Sequence, residues 1–325
     1  MVYTKSNQGL WAILAEESRM MEKKIKKIHI IINPASGKED SILPVINETM
    51  HKAGIEWEAF ITHKTGDATR YAKNAVNDGI DALAVYGGDG TLTEAINGLI
   101  GSAVPLAILP GGSANVMAKE LGIPLDLEEA CGLLSQFPVR LKAIDVGKFD
   151  ERYFAVGISF GYGADLVKGA DRLTKNKIGI LSYVLAAVSA IRKTRKAVYH
   201  LNIDGQEYDI GGLTCLIANT GNLGFTTVSF DKHIDVSDGF LDIVVLRKAN
   251  LNLVKLAVLT LLKRERPHNL ELVKHWQGKN ISISSRPKQT VQCDGEVIEN
   301  HLLKINVLPG AISVLVPNNT SETSV

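Results

Sequence analysis

Val85-Tyr86-Gly87-Gly88-Asp89-Gly90-Thr91-Leu92-Thr93-Glu94 is the stretch that decides how this chain folds. The apolar run 80–86 leads into it as a strand, three glycines and an aspartate turn the backbone, and a helix begins at once. Glycine permits the tight turn and lets a phosphate approach the amides. The helix N-terminus adds unpaired N–H groups and a partial positive charge. Asp89 supplies a hard oxygen suited to a magnesium ion.

The same logic recurs on either side. The strand 105–109 runs into Pro110-Gly111-Gly112-Ser113-Ala114-Asn115 and a helix. The β-branched run 28–32 runs into Asn33-Pro34-Ala35-Ser36-Gly37-Lys38, and a continuous apolar run of this kind suits a strand buried on both faces. Between them the pattern predicts a helix near 41–53 closed by Gly54, a strand 55–61 and a helix 66–78. Strands alternating with helices mean a parallel α/β sheet with right-handed crossovers. Three glycine loops after parallel strands converge at the carboxyl edge, where such sheets bind ligands. Taken singly, each loop reads equally well as a bare connection. Together, with Asp89, Ser113 and Lys38 supplied, they point to phosphate. None matches the Walker A pattern, and the spacing of Gly157, Gly161 and Gly163 is not a dinucleotide fingerprint; that stretch reads as a turn.

After about residue 144 the rhythm changes to β-rich segments at 152–158, 197–210, 212–219, 240–247, 280–285, 289–298 and 302–316. Asp204-Gly205 reads as a hairpin turn. Only 164–194 and 250–266 look helical. The expected organisation is an N-terminal arm over 1–24 and a parallel α/β nucleotide-binding domain over 25–143. A mainly antiparallel, sandwich-like β domain with two helices follows over 144–317, and then a polar tail over 318–325.

Composition narrows the function classes. The formal net charge is +1, so no global basic field argues for nucleic acid. Cys131, Cys215 and Cys293 sit in apolar stretches without metal-ligand spacing; buried thiols of a reducing, cytoplasmic compartment are expected. The longest apolar runs, 178–191 and 251–262, fall short of the ~20 residues that span a bilayer. Each is followed by a basic cluster, Arg192, Lys193, Arg195 and Lys196 in one and Lys263, Arg264 and Arg266 in the other. That order suits transient docking at an anionic surface, and equally a helix buried on one face with its cations solvated.

Five elements in order carry a resemblance: Asn33–Gly37, Gly87–Glu94, Gly111–Asn115 running into Leu121-Gly122-Ile123-Pro124, Asp238-Gly239-Phe240-Leu241-Asp242, and Cys293-Asp294-Gly295-Glu296. The chain resembles the diacylglycerol kinase catalytic family, which includes bacterial lipid kinases and sphingosine and ceramide kinases. The resemblance implies Mg-ATP bound by the first domain and a lipid alcohol as acceptor, at a membrane surface. Peripheral contact with the inner membrane face and a homo-oligomer are compatible with it. The nucleotide contacts it implies are Asn33, Pro34, Ala35, Ser36, Gly37, Thr62, Gly88, Asp89, Gly90, Thr91, Leu92, Thr93, Glu94, Ser113 and Glu296. Asp294 falls on the family's catalytic base, although Asp294-Gly295 read alone is a hairpin turn. Asp235, Asp238 and Phe240 match a structural magnesium loop of some members, with Asp238 giving its side chain and the other two their carbonyls; a plain acidic turn fits as well. Ser113 and Val116 replace a threonine and an aspartate common in bacterial members, which weakens assignment to diacylglycerol itself. An NAD kinase shares Gly-Gly-Asp-Gly-Thr, but Asn219 is followed by Thr220 and not by an acid. A regulator with a decayed site is opposed by the presence of Asp89, Glu94, Asp294 and Glu296.

Overall fold

The computed structural model describes residues 19–36, 42–161, 195–221, 234–247 and 273–318. The chain divides into two units. The first runs to Val146 and takes in Val236–Asp238 and the chain from Leu308; the second is Gly147–Asp235 with Gly239–Val307.

The first unit opens with strand β1 (Arg19–Met21), and then alternates as the periodicity requires: β2 (Lys27–Ile32), α1 (Ile42–Ala53), β3 (Glu56–Ile61), α2 (Asp67–Asn77), β4 (Ala82–Gly87), α3 (Asp89–Leu99) and β5 (Leu106–Pro110). Two short helices, α4 (Val116–Glu120) and α5 (Leu127–Gly132), precede β6 (Val139–Phe149), which pairs with β1 antiparallel. Strands β3, β2, β4 and β5 lie side by side and parallel. The far half of the final strand extends this sheet, pairing parallel to β5 at Val314 and Leu106. Strands β4 and β5 are buried at every residue and β2 at all but its first. That explains why their sequences are apolar without alternation. Strand β3 has a neighbour only in β2 among the described strands and is mostly exposed. Helix α1 stops where Gly54 takes φ 66, the left-handed conformation that ends helices cheaply only at glycine.

The second unit is all strand among its described residues: β7 (Arg152–Phe154), β8 (Gly157–Phe160), β9 (Ala197–Ile203), β10 (Gln206–Gly212), β11 (Thr214–Ala218), β12 (Leu241–Leu246), β13 (Val273–Gly278), β14 (Asn280–Arg286), β15 (Val291–Cys293), β16 (Glu296–Ile298) and the near half of β17 (Leu302–Val316). One antiparallel sheet has the order β10-β9-β14-β17 and the other β13-β12-β11-β8-β15-β16. Their facing side chains, among them Phe160, Tyr199, Ile217, Ile243, Ile283 and Leu303, form one core, as in a sandwich. Asp204-Gly205 is the expected two-residue hairpin turn between β9 and β10, with φ 48 and 90.

One reading is corrected here: Gly157–Phe160 is a strand at the centre of its sheet, not a turn. Residues 289–298 form two strands with the expected Asp294-Gly295 turn between them. Strands β6 and β13 lie outside the expected segments: β6 spans the boundary expected near residue 144, and in β13 Lys274, His275 and Gln277 break any apolar alternation. The two anticipated helices, Arg192 and Lys193 of the first basic cluster, all of the second and the polar tail from 319 lie outside the described residues. Among the described residues no helix is long and apolar enough to cross a membrane.

Candidate functional site

Gly87 ends β4 directly opposite Pro110 at the end of β5, so the two loops that follow leave the sheet side by side. The Gly111 and Gly112 amides both donate to the Gly87 carbonyl, at 3.0 and 3.2 Å. A Cβ on Gly112 would stand 2.5 Å from the Gly88 Cα, far inside carbon–carbon contact distance. Glycine at 112 therefore lets the loops touch backbone to backbone. Asn115, itself left-handed at φ 46, closes the second loop. Its Oδ1 accepts from the Gly112 amide at 2.9 Å and its Nδ2 donates to the Gly112 carbonyl at 2.7 Å. Asp89 opens α3 and ties the helix to α4, with Oδ1 accepting from the Met117 amide at 3.3 Å. Gly87, Gly88, Asp89, Leu92 and Asn115 line a small pocket there. Gly88 caps α3 without a side-chain bond; the first amides of a helix have no partner within it and suit an anion. Around Gly90, in that first turn, no heavy atom comes within 4 Å of where a Cβ would stand.

Next to this helix start lies a cavity of about 380 Å³ lined by Asn33, Pro34, Ala35, Thr62, His63, Lys64, Thr65, Thr91 and Glu94. Its walls are the loops after β2 and β3 and one face of α3. The loop after β2 is folded by Asn33, whose Oδ1 accepts from the Ala35 amide at 3.0 Å while its Nδ2 donates to Thr91 Oγ1 at 2.8 Å. Thr62 continues the β2–β3 ladder through its amide to the Ile32 carbonyl at 2.9 Å. Two carboxylates hold the 62–66 loop. Asp67 Oδ2 accepts from the His63 and Lys64 amides at 2.9 and 3.1 Å. Glu94 Oε2 accepts from the Gly66 and Ala68 amides at 2.9 and 3.3 Å, so a residue of α3 caps α2. The Arg70 guanidinium, 2.9 Å from Asp67 Oδ1, together with the His63 amide, lowers the Asp67 carboxyl to about 2. The loop is thus set by charge-assisted bonds that are intact at any neutral pH.

In the second unit, β15 and β16 join through Asp294 and Gly295, with φ 44 and 90. Both residues are left-handed, as in a tight two-residue hairpin. The turn has a second job. Asp294 Oδ2 accepts from the Ala155 amide at 2.9 Å, and Oδ1 from the Val156 and Gly157 amides at 3.1 and 2.8 Å. The Asp294 amide returns a bond to the Gly157 carbonyl at 3.0 Å. Three successive amides converging on one carboxylate stabilise its charged form. Glu296 sits opposite Cys293 in the same hairpin. Asp235, Asp238 and Phe240 belong to the turn before β12, in which Gly239 has φ 78. Among the described residues no group of three or more His, Cys, Asp and Glu side chains is arranged to hold a metal ion.

Comparison with known proteins gives the same picture from another direction. The sequence model of the diacylglycerol kinase catalytic domain matches residues 27–149, and that of the YegS C-terminal NAD kinase beta sandwich-like domain matches 156–316. A candidate lipid kinase of Streptococcus pneumoniae is 30% identical over 298 residues, covering 89% of this chain and 98% of the relative. The chain belongs to the diacylglycerol kinase catalytic family. A diacylglycerol kinase of Staphylococcus carnosus is 29% identical over 277 residues, covering 83% of this chain and 89% of the relative. A crystal structure of a diacylglycerol kinase from Bacillus anthracis superposes with a TM-score of 0.73 at 26% identity, over 91% of this chain and 99% of that one. Membership makes the chain a lipid kinase, and a kinase family implies ATP as phosphate donor.

Within this lipid kinase, the anticipated Asn33, Pro34, Ala35, Thr62, Thr91 and Glu94 meet around the one cavity. Gly88, Asp89 and Leu92 meet in the small pocket beside it. Gly90 and Thr93 belong to the same helix, Ser36 to the turn after β2 and Ser113 to the exposed bend before α4. Gly37 and Lys38 lie outside the described residues. Asp294, Glu296, Asp235 and Phe240 belong to the second unit, and Asp238 to the first. His63, Lys64 and Thr65 line the cavity without having been anticipated. Their signal was position alone: a loop leaving the carboxyl end of a parallel strand.

Proposed function

We propose that this kinase transfers the γ-phosphate of Mg-ATP to the hydroxyl of a lipid such as diacylglycerol, with Asp294 as the general base. The observation that carries the donor half is the cavity at the carboxyl edge of the first sheet, where residues of two sequence motifs meet the loop after β3. Most of its lining residues are polar, the α3 N-terminus opens beside it, and the open space at Gly90 leaves room for a phosphate to reach the helix amides. A glycine inside a helix turn costs about 1 kcal/mol relative to alanine. No neighbouring atom requires it at 90, so an approaching ligand is the remaining reason. Asp89 is the carboxylate that would hold a magnesium ion, and such an ion would supply charge neutralisation at the transferred phosphate.

In the acceptor half, the lipid oxygen attacks the γ-phosphorus, the bond to the bridging oxygen breaks, and ADP leaves with that electron pair. The hydroxyl proton passes to the Asp294 carboxylate. Three amide bonds keep that carboxylate ionised, the state in which a base must start. They also weaken it, which a loose transition state with little bond formation to the attacking oxygen tolerates.

The test is to incubate the purified protein with labelled ATP and, separately, diacylglycerol, sphingosine, ceramide and NAD. Label in diacylglycerol supports the reading. Label in a sphingoid base reassigns the acceptor, and label in NAD or in no acceptor overturns the reading.

A further inference from the structure

The hairpin that carries Asp294 is only half of a clamp. Strand β8 lies between β15 on one side and β11 on the other, so the residues leading into it pass between the ends of both neighbours. From the β15 side, Asp294 takes the amide hydrogens of Ala155, Val156 and Gly157. From the β11 side comes Asn219, the residue after that strand. Its Nδ2 donates to the Ala155 carbonyl at 2.9 Å and its backbone amide to the Val156 carbonyl at 2.9 Å. Asn219 is 1% exposed and Ala155 is fully buried. Gly157 permits the approach, since a Cβ there would lie 2.7 Å from the Ile217 carbonyl oxygen of β11.

We infer that Asn219 is a positioning residue for Asp294. It fixes the carbonyl side of a segment whose amide side orients and charges that carboxylate. The inference rests on the base assignment above for its catalytic meaning, but its physical content is independent of it. Nothing about Asn219 as a sequence position suggests the role; it follows from three adjacent strand ends. A buried carbonyl needs a donor, and a side-chain amide on a strand end is a rigid one. With that donor gone, the Ala155–Val156 peptide plane, which carries the Val156 amide, can rotate off the carboxylate, while the Val156 carbonyl stays held by the Asn219 backbone amide. The carboxylate would then lose stabilisation of its charged form.

The experiment compares Asn219→Ala with the native protein, using selective ¹³Cγ-aspartate labelling to follow the Asp294 titration by NMR. Among the described residues, Arg152, Glu296 and Asp294 act on the neighbouring Cys293 thiol, which burial first and the Asp294 charge second push up; none of these groups is altered by the substitution. The Asp294 midpoint is expected to rise by roughly half to one pH unit. The lipid-kinase kcat is expected to fall about 10- to 100-fold with the KM for ATP within about twofold. In an Asp294→Asn background the same substitution should cost little more, since residues acting as a unit are not additive. An unmoved Asp294 midpoint overturns the inference whatever the activity. So does a full additional kcat loss in the Asp294→Asn background. Should Asn219→Ala not fold, Asn219→Ser, with a donor of shorter reach, is read against the same criteria. Retention of full activity by Asp294→Asn alone would instead sink the base assignment, while the NMR midpoint still decides the role of Asn219.

Discussion

Gly112→Ala isolates the contact on which the two glycine loops depend. Gly112 has no left-handed φ, so alanine meets no backbone strain and the effect is one of space alone. The new methyl would lie 2.5 Å from the Gly88 Cα, 3.1 Å from Asn115 Oδ1 and 3.3 Å from the Gly88 nitrogen. Carbon atoms settle about 3.5–4.0 Å apart, so the loops must separate by roughly 1–1.5 Å. The tightest contact cannot be relieved by rotating a side chain, because the Gly88 Cα is backbone. Forcing a methyl into a packed site costs about 1–3 kcal/mol, which for a chain of this size lowers Tm by roughly 1.5–4.5 °C. Gly88 directly precedes Asp89, so the shift is delivered to the start of α3. A displacement of about 1 Å at a phosphate-transfer site costs on the order of 10²-fold in rate. The assay is a thermal melt paired with steady-state kinetics in ATP. A variant melting within about 1 °C of the native protein and turning over within about twofold would refute the idea that this contact sets the loop geometry.

The remaining expectations use other parts of the same site. Gly90→Ala meets open space in a helix turn and should raise stability by about 0.5–1 kcal/mol while weakening ATP binding in calorimetry; unchanged affinity would mean that no phosphate comes close there. Glu94→Ala leaves the Gly66 and Ala68 amides without their carboxylate and should cost about 1 kcal/mol of stability in urea unfolding, with a raised KM for ATP. Asp67 has a folded pKa of about 2, below the ~3.9 of an unfolded aspartate. Its contribution is therefore fully present above about pH 4 and is lost as pH falls toward 2. Asp67→Asn should flatten that part of the stability profile and leave the neutral-to-alkaline part parallel to the native one. Asp294→Asn should lower phosphoryl transfer by about 10²–10⁴, with nucleotide affinity unchanged by calorimetry.

How far the sequence could be read follows from what each residue faces. Strands β2, β4 and β5 were legible because burial on both faces leaves an unbroken apolar run, and their glycine loops were legible because few other roles need such composition. Strand β13 was not, since as an edge strand with Lys274, His275 and Gln277 it has little pattern to impose. Glu94 was anticipated as a nucleotide contact, yet its carboxylate caps α2; nothing in the spacing of Glu94 and Gly66 reveals that two helices bring them to 2.9 Å. The Asp294 turn was legible as a hairpin from Asp-Gly alone. That the same carboxylate gathers the amides of residues some 137–139 positions earlier is a property of strand order, which local sequence does not encode. The bond from Asn219 to the Ala155 carbonyl was invisible for the same reason.

Strand β17 carries a temporal implication for how the protein is made. In the first unit, β5 receives its partner from around Val314, although Leu106 lies 208 positions earlier (314 − 106). At about 5–20 residues per second, a ribosome needs roughly 10–40 s to bridge that interval. Throughout it, the flank of β5 that Val314 later covers is an unpaired, apolar strand border of the kind that recruits foreign chains. The half that carries the glycine loops is translated first but completed late. A fragment stopping near residue 150 would keep every loop of the donor cavity, and still lack the strand that closes its sheet.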